Sequence, residues 1–268
     1  MLLRFYRAVN LLSLDVAGGA VVVALYFSKV LQVEPRFQGI LALGLAVWII
    51  YTVDRLLDVR RMEMPASTKR HRFHQQHHRT LWIITLLATG IVLSLIFFLR
   101  PPVLLYGFVL GTLVGIYLLI QNRLPWKEIM VALLYTAGVL FPSSTVQVVT
   151  LSVDQVFAIF FTFLIALINL LLFSWFELES DQQDRRLSFV TRWGKRKAER
   201  ILFTLFLATG TMATGMFIVF RSPMWIPLMI MIAILFIIFY YPDYFRGDDR
   251  YRLWGDSVFL LPMLEVMR

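Results

Sequence analysis

Two pairs of carboxylates, each four residues apart, are the side chains in this sequence whose spacing is most suggestive of chemistry. Asp54 and Asp58 lie at the end of one long apolar run, and Glu177 and Asp181 lie at the end of another. Side chains four residues apart share one face of a helix, with their Cβ atoms about 6 Å apart. Two carboxylates so placed at a membrane edge repel each other unless a cation lies between them. The spacing therefore predicts two cation-binding positions.

The composition indicates that these pairs belong to a membrane protein. The chain has 268 residues, of which 59% are apolar, and its mean hydropathy is +0.73. Soluble domains contain only about 45–50% apolar residues. The absence of cysteine excludes disulfides and thiol chemistry. A net charge of +9 can indicate nucleic-acid binding, but in a membrane protein it is typical of basic cytoplasmic loops. We therefore expect an integral membrane protein that binds no nucleic acid.

Nine apolar runs divide the chain, and most approach the roughly 20 residues that a membrane-spanning helix needs. They are residues 10–33, 37–53, 81–99, 101–120, 130–149, 156–176, 201–220, 224–241 and 253–266. The ninth is short and contains Asp256, Pro262 and Glu265, so a tilted or interfacial position is a second option for it. No linker or low-complexity segment interrupts the series. The sequence therefore predicts an all-α bundle of nine transmembrane helices in one domain, residues 1–268.

The basic residues predict the orientation of this bundle. With the N-terminus in the cytoplasm, alternating segments place 21 of the 26 lysines and arginines on the inner side. Such an excess is typical of cytoplasmic loops. Both carboxylate pairs then lie at the cytoplasmic face, around a cavity open to that side. The two long inner loops also begin alike, with VDRLLDVRR and FELESDQQDRR, which is typical of a bundle with two similar halves.

Four carboxylates around one cavity would suit Mg²⁺, which takes carboxylate oxygens and keeps waters and substrate phosphates as further ligands. Basic residues from the same loops would suit a diphosphate, which needs both a metal and direct charge partners. These residues are Lys69, Arg70, Arg72, Lys127, Arg186 and Arg192. The apolar bundle behind them would hold a hydrocarbon tail. A prenyl diphosphate matches this amphiphilic ligand, and departure of its diphosphate would leave an allylic carbocation in a water-poor pocket.

The same stretches resemble the UbiA superfamily of intramembrane prenyltransferases, whose members have nine helices and two aspartate-rich motifs. Asp54 and Asp58 match the aspartates of the first motif, N-x-x-x-D-x-x-x-D, and STKRHRF resembles the stretch that follows it in many members. The segment FELESDQQDRRLSFVTRWG matches the second motif region without gaps, with Glu177 and Asp181 at its acidic positions. Lys127 in LPWKEI falls where members carry a lysine. The resemblance covers nearly the whole chain.

Three positions depart from the family pattern. Ile50 stands in place of the asparagine of the first motif, Glu177 replaces an aspartate and lengthens that side chain by one methylene, and Arg185 stands where glycine is common. Ser188 and Gly194 match the threonine and the closing glycine of the second region. The departures bear on the acceptor and the reaction more than on the diphosphate site.

The resemblance implies Mg²⁺-dependent transfer of a prenyl group from a prenyl diphosphate to a lipophilic acceptor of an aromatic or quinone type. It also implies a bacterial inner membrane, with the active site on the cytoplasmic side. The implied catalytic metal ligands are Asp54, Asp58, Glu177 and Asp181, and the implied diphosphate ligands are Lys127, Arg70, Arg192 and Lys69. Further candidates are Asn169, which could orient the site, Asp184, which is a third ligand or a loop charge paired with Arg186, and His71, which could contact phosphate.

Two other functions stay open. A terpene cyclase would use the same diphosphate site and quench the cation within the same prenyl chain; Ile50 and the lack of a recognisable acceptor signature are compatible with it. A non-enzymatic carrier of polyprenyl phosphate or another anionic lipid is the third hypothesis, because similar halves and acidic intramembrane residues also occur in transporters.

Plainer interpretations exist for the charged residues themselves. Asp54 and Asp58 could be solvated helix-end charges that pair with Arg55, Arg60 and Arg61. A histidine cluster suggests zinc only weakly, because no cysteine or H-E-x-x-H pattern accompanies it, and an interfacial loop is favoured instead. Its members are His71, His74, His77 and His78.

Overall fold

The computed structural model describes residues 2–60, 66, 68–121, 124, 126–143, 151–184 and 186–268, with side chains from residue 6 onward. The described part is helical. Its long helices are α2 (Leu14–Val30), α3 (Phe37–Arg60), α5 (His78–Leu95), α6 (Pro101–Ile120), α7 (Lys127–Leu140), α8 (Val153–Phe176), α11 (Lys195–Phe220) and α12 (Trp225–Tyr240). Its short helices are α1 (Leu2–Leu11), α4 (Lys69–Gln76), α9 (Leu178–Gln183), α10 (Phe189–Trp193), α13 (Pro242–Arg246), α14 (Arg250–Ser257) and α15 (Met263–Val266).

Helix α8 lies at the centre of the bundle. It begins with a capping box in which the Ser152 and Gln155 side chains satisfy free backbone donors. The rest of the helix is apolar on every side, which is the pattern of a buried helix. Its side chains pack against α7, α11 and α12, and Phe161 and Ile165 are completely buried. The last turns of α8 are therefore buried inside the protein, and so are Glu177 and Asp181, which follow them.

Helices α5 and α6 lie at the periphery and present large apolar side chains to the outside. Phe97, Phe108 and Leu119 are between 76% and 88% exposed. A contiguous apolar surface of this kind is unstable in water, and it is the normal outer surface of a protein in lipid. Together with the length of the apolar helices, it identifies the chain as an integral membrane protein.

The number of spans differs from the sequence prediction. Among the described residues, five helices are long and apolar enough to cross a membrane, or six if α12 and residues 242–266 form one broken span. Helix α2 has 17 residues and α7 has 14, and residues 144–150 of the predicted fifth run lie outside the described residues. Residues 242–266 bend by 93° from α12 at the break after Tyr240. Left-handed backbone at Asp248 and Asp249 separates the short helices α13 and α14 within this segment. Nine spans therefore stay a prediction.

One end of the bundle is built from short helices. Helix α4 packs on α3, and α9, α10 and α14 pack on α8. These short helices carry charged residues that follow α3 and α8 in the chain. They cover the ends of α3 and α8. The charged segments thus surround the points where both carboxylate pairs leave the bundle.

Candidate functional site

Three of the four predicted carboxylates, Asp54, Glu177 and Asp181, line one polar cavity of about 190 Å³. Asp58 does not line it, but it is ion-paired with Arg186, which does. Asp54 and Asp58 lie on the last turns of α3, while Glu177 ends α8 and Asp181 belongs to α9. Helix α8 stops at Glu177, and the chain continues directly into α9, so the two acidic side chains stay on the inner side. The ionisable groups that line the cavity are Asp54, Arg55, Arg70, His71, Tyr51, Tyr117, Lys127, Glu128, Glu177, Asp181, Arg186, Arg252 and Asp256.

Arg186 links the two acidic motifs. Its guanidinium forms an ion pair with Asp58 and lies 4.0 Å from Oδ1 of Asp181. It also donates a hydrogen bond of 3.0 Å to Nε2 of His71, so this histidine is neutral. Burial, followed by the charge of Arg186, holds the pKa of His71 well below its usual value. A guanidinium thus occupies part of the space between the motifs.

A second arginine binds Glu177. Arg252 of α14 forms an ion pair with its carboxylate, and the hydroxyl of Tyr251 donates a hydrogen bond of 2.8 Å to the same oxygen. Burial alone would raise the pKa of Glu177, but Arg252 and Tyr251 bring it below its usual value. Glu177 is therefore ionised and is already neutralised by the protein.

Asp54 and Asp181 are less fully compensated. Oδ1 of Asp54 is buried and accepts no hydrogen bond from any residue in the described ranges. Asp181 is 7% exposed, and its burial raises its pKa to about 6 against the opposing charge of Arg186. A buried carboxylate oxygen without a partner costs free energy unless a cation or donor completes it. These two carboxylates are consequently the ones available to a ligand.

The donor set fits Mg²⁺ only in part. No group of three or more acidic or histidine side chains converges on one point among the residues with described positions. Mg²⁺ is commonly held by one or two carboxylates and completed by waters and substrate phosphates. Asp54 and Asp181 fit that arrangement. That Asp54, Asp58, Glu177 and Asp181 all hold metal stays a prediction, and in this structure Asp58 and Glu177 are paired with Arg186 and Arg252.

The segment after the first motif folds back over the cavity. Thr68 caps α4 by accepting a hydrogen bond from the backbone N–H of His71. The first turn of α4 then directs Arg70 inward, where it donates a 2.7 Å hydrogen bond to Ser13 and lies 3.9 Å from Asp256. The exposed Lys69 on the same turn is 3.6 Å from Asp249, outside the cavity.

The remaining predicted residues divide between the cavity and the surface. Lys127 begins α7 and lines the cavity, and Asn169 lines it with a buried Oδ1 that has no hydrogen bond among the described residues. Arg192 is exposed, and Asp184 is half-buried; neither lines the cavity. The histidines do not form a metal site: His71 and His74 are buried, whereas His77 and His78 are exposed.

Asp58 pairs with a residue from a distant part of the chain. Among the described residues, its partner is Arg186, which lies 128 positions away in the chain. Arg60 is exposed, and Arg61 and Arg185 lie outside the described residues. The solvated helix-end interpretation does not describe Asp58, which is 9% exposed.

Several cavity residues had no assigned place in the sequence prediction. Asp256 comes from the ninth apolar run and Arg252 immediately precedes it, and charges in or beside an apolar stretch were the only signal. Glu128 is buried at the start of α7 and accepts a 2.8 Å hydrogen bond from the backbone N–H of Phe189. The position of Glu128 beside Lys127 in the sequence does not indicate this hydrogen bond, because Phe189 lies on α10, 61 positions away.

An apolar cavity of about 450 Å³ adjoins the polar one. Helices α3, α5, α6 and α7 form its walls, and four residues line both cavities: Ile50, Tyr51, Tyr117 and Val131. Ile50, which stands in place of the motif asparagine, thus supplies apolar surface at the junction. The combined space has one charged end and one hydrocarbon end.

Comparison with known proteins identifies the fold. No family model matches the sequence, and no curated protein matches it. Among solved structures, the chain is similar to a UbiA homologue from Archaeoglobus fulgidus bound to DMAPP and Mg²⁺, with a TM-score of 0.64, 11% identity and coverage of 97% of this chain and 98% of that one. The same homologue bound to GPP and Mg²⁺ gives a TM-score of 0.60, 12% identity and coverage of 97% and 99%. An apo UbiA homologue from Aeropyrum pernix K1 gives a TM-score of 0.67 and 11% identity, with coverage of 94% of this chain and 98% of that one.

Proposed function

This chain has the fold of the UbiA superfamily, and from that premise we propose that it transfers a prenyl group from a prenyl diphosphate to a lipophilic acceptor of an aromatic or quinone type. The observation that carries the proposal is that the polar and the apolar cavity adjoin and share the lining residues Ile50, Tyr51 and Tyr117. A ligand that fills both must combine a polyanionic head with a hydrocarbon tail. Prenyl diphosphates have this shape, and the bound DMAPP and GPP of the structural neighbours support the choice.

The diphosphate would lie between Lys127 and the two less fully compensated carboxylates, Asp54 and Asp181. Asp54 and Asp181 would hold Mg²⁺, which when bound supplies electrostatic stabilisation of the departing diphosphate. Lys127 has no ion pair among the described residues and reaches the same cavity, so its charge is available to phosphate oxygens. Asp58 and Glu177 hold Arg186 and Arg252 in the cavity wall rather than binding metal directly. Both guanidiniums add positive charge close to the leaving group.

The apolar cavity would protect the allylic cation. Its walls present almost entirely hydrocarbon surface, so water is kept from the carbon that loses its diphosphate. The rings of Tyr51 and Tyr117 stand at the junction, where an electron-rich face can stabilise a carbocation.

We further propose that the site faces the cytoplasm of a bacterial inner membrane, and that residues 1–268 form one domain with nine crossing or partly crossing segments. The charged residues of α4, α9, α10 and α14 gather at one end of the bundle, in agreement with the inner-side excess of lysine and arginine. Labelling of single cysteines introduced at Arg72 and Arg221 in intact cells tests this orientation, because the two positions should differ in access to an impermeant reagent.

Diphosphate release tests the function. Purified protein in lipid is incubated with Mg²⁺ and prenyl diphosphates of increasing length, with and without a membrane lipid extract. We expect release that depends on Mg²⁺ and falls at least 100-fold in Asp54→Asn. Glu179→Gln is the matched control, because Glu179 is exposed and pairs only with Arg246 on the surface.

The outcomes separate the three hypotheses. Release that requires the extract supports transfer to an acceptor, whereas release without extract together with a cyclic terpene supports a cyclase. Binding of prenyl diphosphate without release under either condition contradicts an enzyme and favours a carrier. Release that is equal in the wild type and in Asp54→Asn contradicts the proposed site.

A further inference from the structure

A small third cavity adjoins the polar and the apolar cavity where these two meet. Its volume is about 30 Å³, which is enough for at least one water molecule. Tyr51 and Val131 line all three cavities. Asn169 and Asp256 also line the polar cavity, and Tyr135 also lines the apolar one. The third cavity therefore lies beside the place where the head of a prenyl diphosphate would join its tail.

Three polar groups in the wall of this small cavity have hydrogen-bonding capacity to spare. Oδ1 of Asn169 and the hydroxyl of Tyr135 are buried, and neither makes a hydrogen bond with any part of the chain that the structure describes. Oδ1 of Asn169 lies against α14, because a Cβ added to Gly255 would be only 2.7 Å from it. The carboxylate of Asp256 is 6% exposed and accepts a 3.0 Å hydrogen bond from Asn10, which leaves further lone pairs.

A single water molecule would satisfy all three groups. It can donate one hydrogen bond to Oδ1 of Asn169 and one to the carboxylate of Asp256, and it can accept one from the hydroxyl of Tyr135. Buried waters typically make about three hydrogen bonds to polar groups that otherwise lack partners. The remaining lone pair of the water oxygen would be available to a donor that enters from the two larger cavities.

The surroundings of Asp256 favour the uptake of a proton. Asn10 donates to both Asp256 and Asp15, so two buried carboxylates lie on either side of one amide. Buried carboxylates this close resist being charged together. The guanidinium of Arg70 lies 3.9 Å from Asp256 and also donates to Ser13, so it compensates the pair only in part. A proton that reaches Asp256 would relieve the repulsion between the two carboxylates.

We propose that Asp256 is the base that accepts, through this water, the proton released by prenyl transfer. The assignment rests on the proposed prenyl transfer. The bond between the prenyl carbon and the diphosphate oxygen breaks, its electron pair leaves with the diphosphate, and the carbon bonds to the acceptor. The acceptor then gives a proton to the lone pair of the water, and the water passes one of its own protons to Asp256. Asn169 and Tyr135 are positioning residues that hold the water.

The test separates loss of the diphosphate from loss of the proton. The full chain in lipid nanodiscs receives Mg²⁺, the membrane lipid extract and geranyl diphosphate labelled with ¹⁸O at the bridging oxygen. Movement of the label to non-bridging positions reports cleavage and re-formation of the carbon–oxygen bond, and prenylated product is measured in the same samples. We expect Asp256→Asn to lower product formation at least about 100-fold, as for loss of a general base, and to slow label movement less than threefold. Asp54→Asn should lose both.

Asp15→Asn is the matched control for Asp256→Asn. Asp15 accepts a hydrogen bond from the same Asn10 but lines none of the three cavities, so its replacement should lower product formation less than tenfold. The unfolding midpoint of each variant, measured in the same nanodiscs, identifies a folding defect.

Tyr135→Phe tests the water itself and should leave the fold intact, because the hydroxyl that it removes has no hydrogen bond among the described residues. It should lower product formation about tenfold, as expected for one lost hydrogen bond, and leave label movement nearly unchanged. Tyr26→Phe is its control, since that hydroxyl donates to the carbonyl of Met224 away from the three cavities, and it should change product formation less than twofold.

The proposal is overturned if Asp256→Asn forms product within threefold of the wild type, or if it slows label movement as much as product formation. The second result would place Asp256 in the cleavage of the diphosphate. Equal losses of product in Asp15→Asn and Asp256→Asn would assign both residues a structural role and would also overturn it. Failure of the proposed function has a different signature, because the wild type would then move no label or form no product, and the assignment of Asp256 would fall with it.

Discussion

Arg186 is the residue on which the two acidic motifs depend. It neutralises Asp58, lies near Asp181 and donates to the neutral ring of His71. Both carboxylates are at least nine-tenths buried, so their charges have little access to water. At the scale of single residues, a guanidinium from a distant part of the chain thus bridges the two acidic motifs, while metal binding by their carboxylates stays a prediction.

Replacement of Arg186 by glutamine should therefore lower stability and activity together. Removing one partner of a buried ion pair costs about 3–5 kcal/mol, because the other charge stays buried. We expect a thermal unfolding midpoint several degrees lower and diphosphate release at least tenfold slower. Arg192→Gln is the control, since Arg192 lies exposed on α10, and it should change release less than twofold. Equal effects of the two variants would contradict the role given to Arg186.

The buried histidine His74 should make the stability of the fold depend on pH. Its Nδ1 donates a 2.9 Å hydrogen bond to the carbonyl of Arg70, and burial lowers its pKa to about 4. The unfolded chain takes up a proton near pH 6.5, so stability is complete above that pH and falls as the pH approaches 4. Between pH 6.5 and pH 4 the free energy of unfolding should fall by about 3 kcal/mol, since one pH unit corresponds to about 1.4 kcal/mol.

Unfolding midpoints measured between pH 7.5 and 4.5 test this dependence. His74→Gln should flatten the acid side of the profile, whereas His78→Gln, at an exposed position, should leave it unchanged. If the unfolding midpoints of the wild type and of His74→Gln change with pH in parallel, His74 does not contribute to the pH dependence of stability.

At the scale of elements, α2 crosses the last segment of the chain in close contact at Gly19. A Cβ on Gly19 would lie 2.8 Å from Cβ of Phe259, an atom fixed to the backbone that cannot move aside. Neighbouring Gly18 has no heavy atom closer than 3.9 Å to the same added atom. The contact holds residues 258–260 and α14 against α2, and α14 carries Arg252 into the cavity.

Gly19→Ala should thus destabilise the protein by about 1–3 kcal/mol, the usual cost of overpacking. Gly18→Ala should be neutral or slightly stabilising, because alanine favours the helix over glycine. The measurement is the unfolding midpoint of each variant in the same detergent. A Gly19→Ala protein as stable as Gly18→Ala would show that α2 and the final segment can separate without loss.

At the scale of the whole molecule, the apolar cavity should set the length of the prenyl donor. Gly138 of α7 is buried in its wall, and an added Cβ would meet no heavy atom within 4 Å. A leucine there would occupy cavity space without a clash at its Cβ. We expect Gly138→Leu to reduce kcat/KM for long donors roughly tenfold relative to the shortest donor, in the range that lost hydrocarbon contacts produce.

Gly115→Leu provides the comparison for that substitution. Gly115 lies on α6 outside the cavity lining, is exposed, and also has no heavy atom within 4 Å of an added Cβ. The Gly115→Leu variant should select among donors of different length as the wild type does. Donor selectivity unchanged by Gly138→Leu would mean that the tail follows another path.

The sequence by itself determined the features that depend on local geometry. Apolar runs of 17 to 21 residues predict α3, α5, α6, α8, α11 and α12, because a helix in lipid must satisfy its own backbone. The four-residue spacing of Asp54 and Asp58 placed them on one face of α3, and the UbiA resemblance agrees with the fold of the structural neighbours. Helix geometry and hydropathy are short-range properties, so one chain segment is enough to read them.

Only the tertiary structure decided which charges neutralise one another. Arg186 and Arg252 lie 128 and 75 positions from the carboxylates they bind, and nothing in a local pattern selects these two from 26 basic residues. The same packing leaves Nε of Arg55 without a hydrogen bond among the described residues and places the polar cavity beside the apolar one. Ion pairing and cavity shape depend on where distant helices meet, and helix packing fixes that in three dimensions.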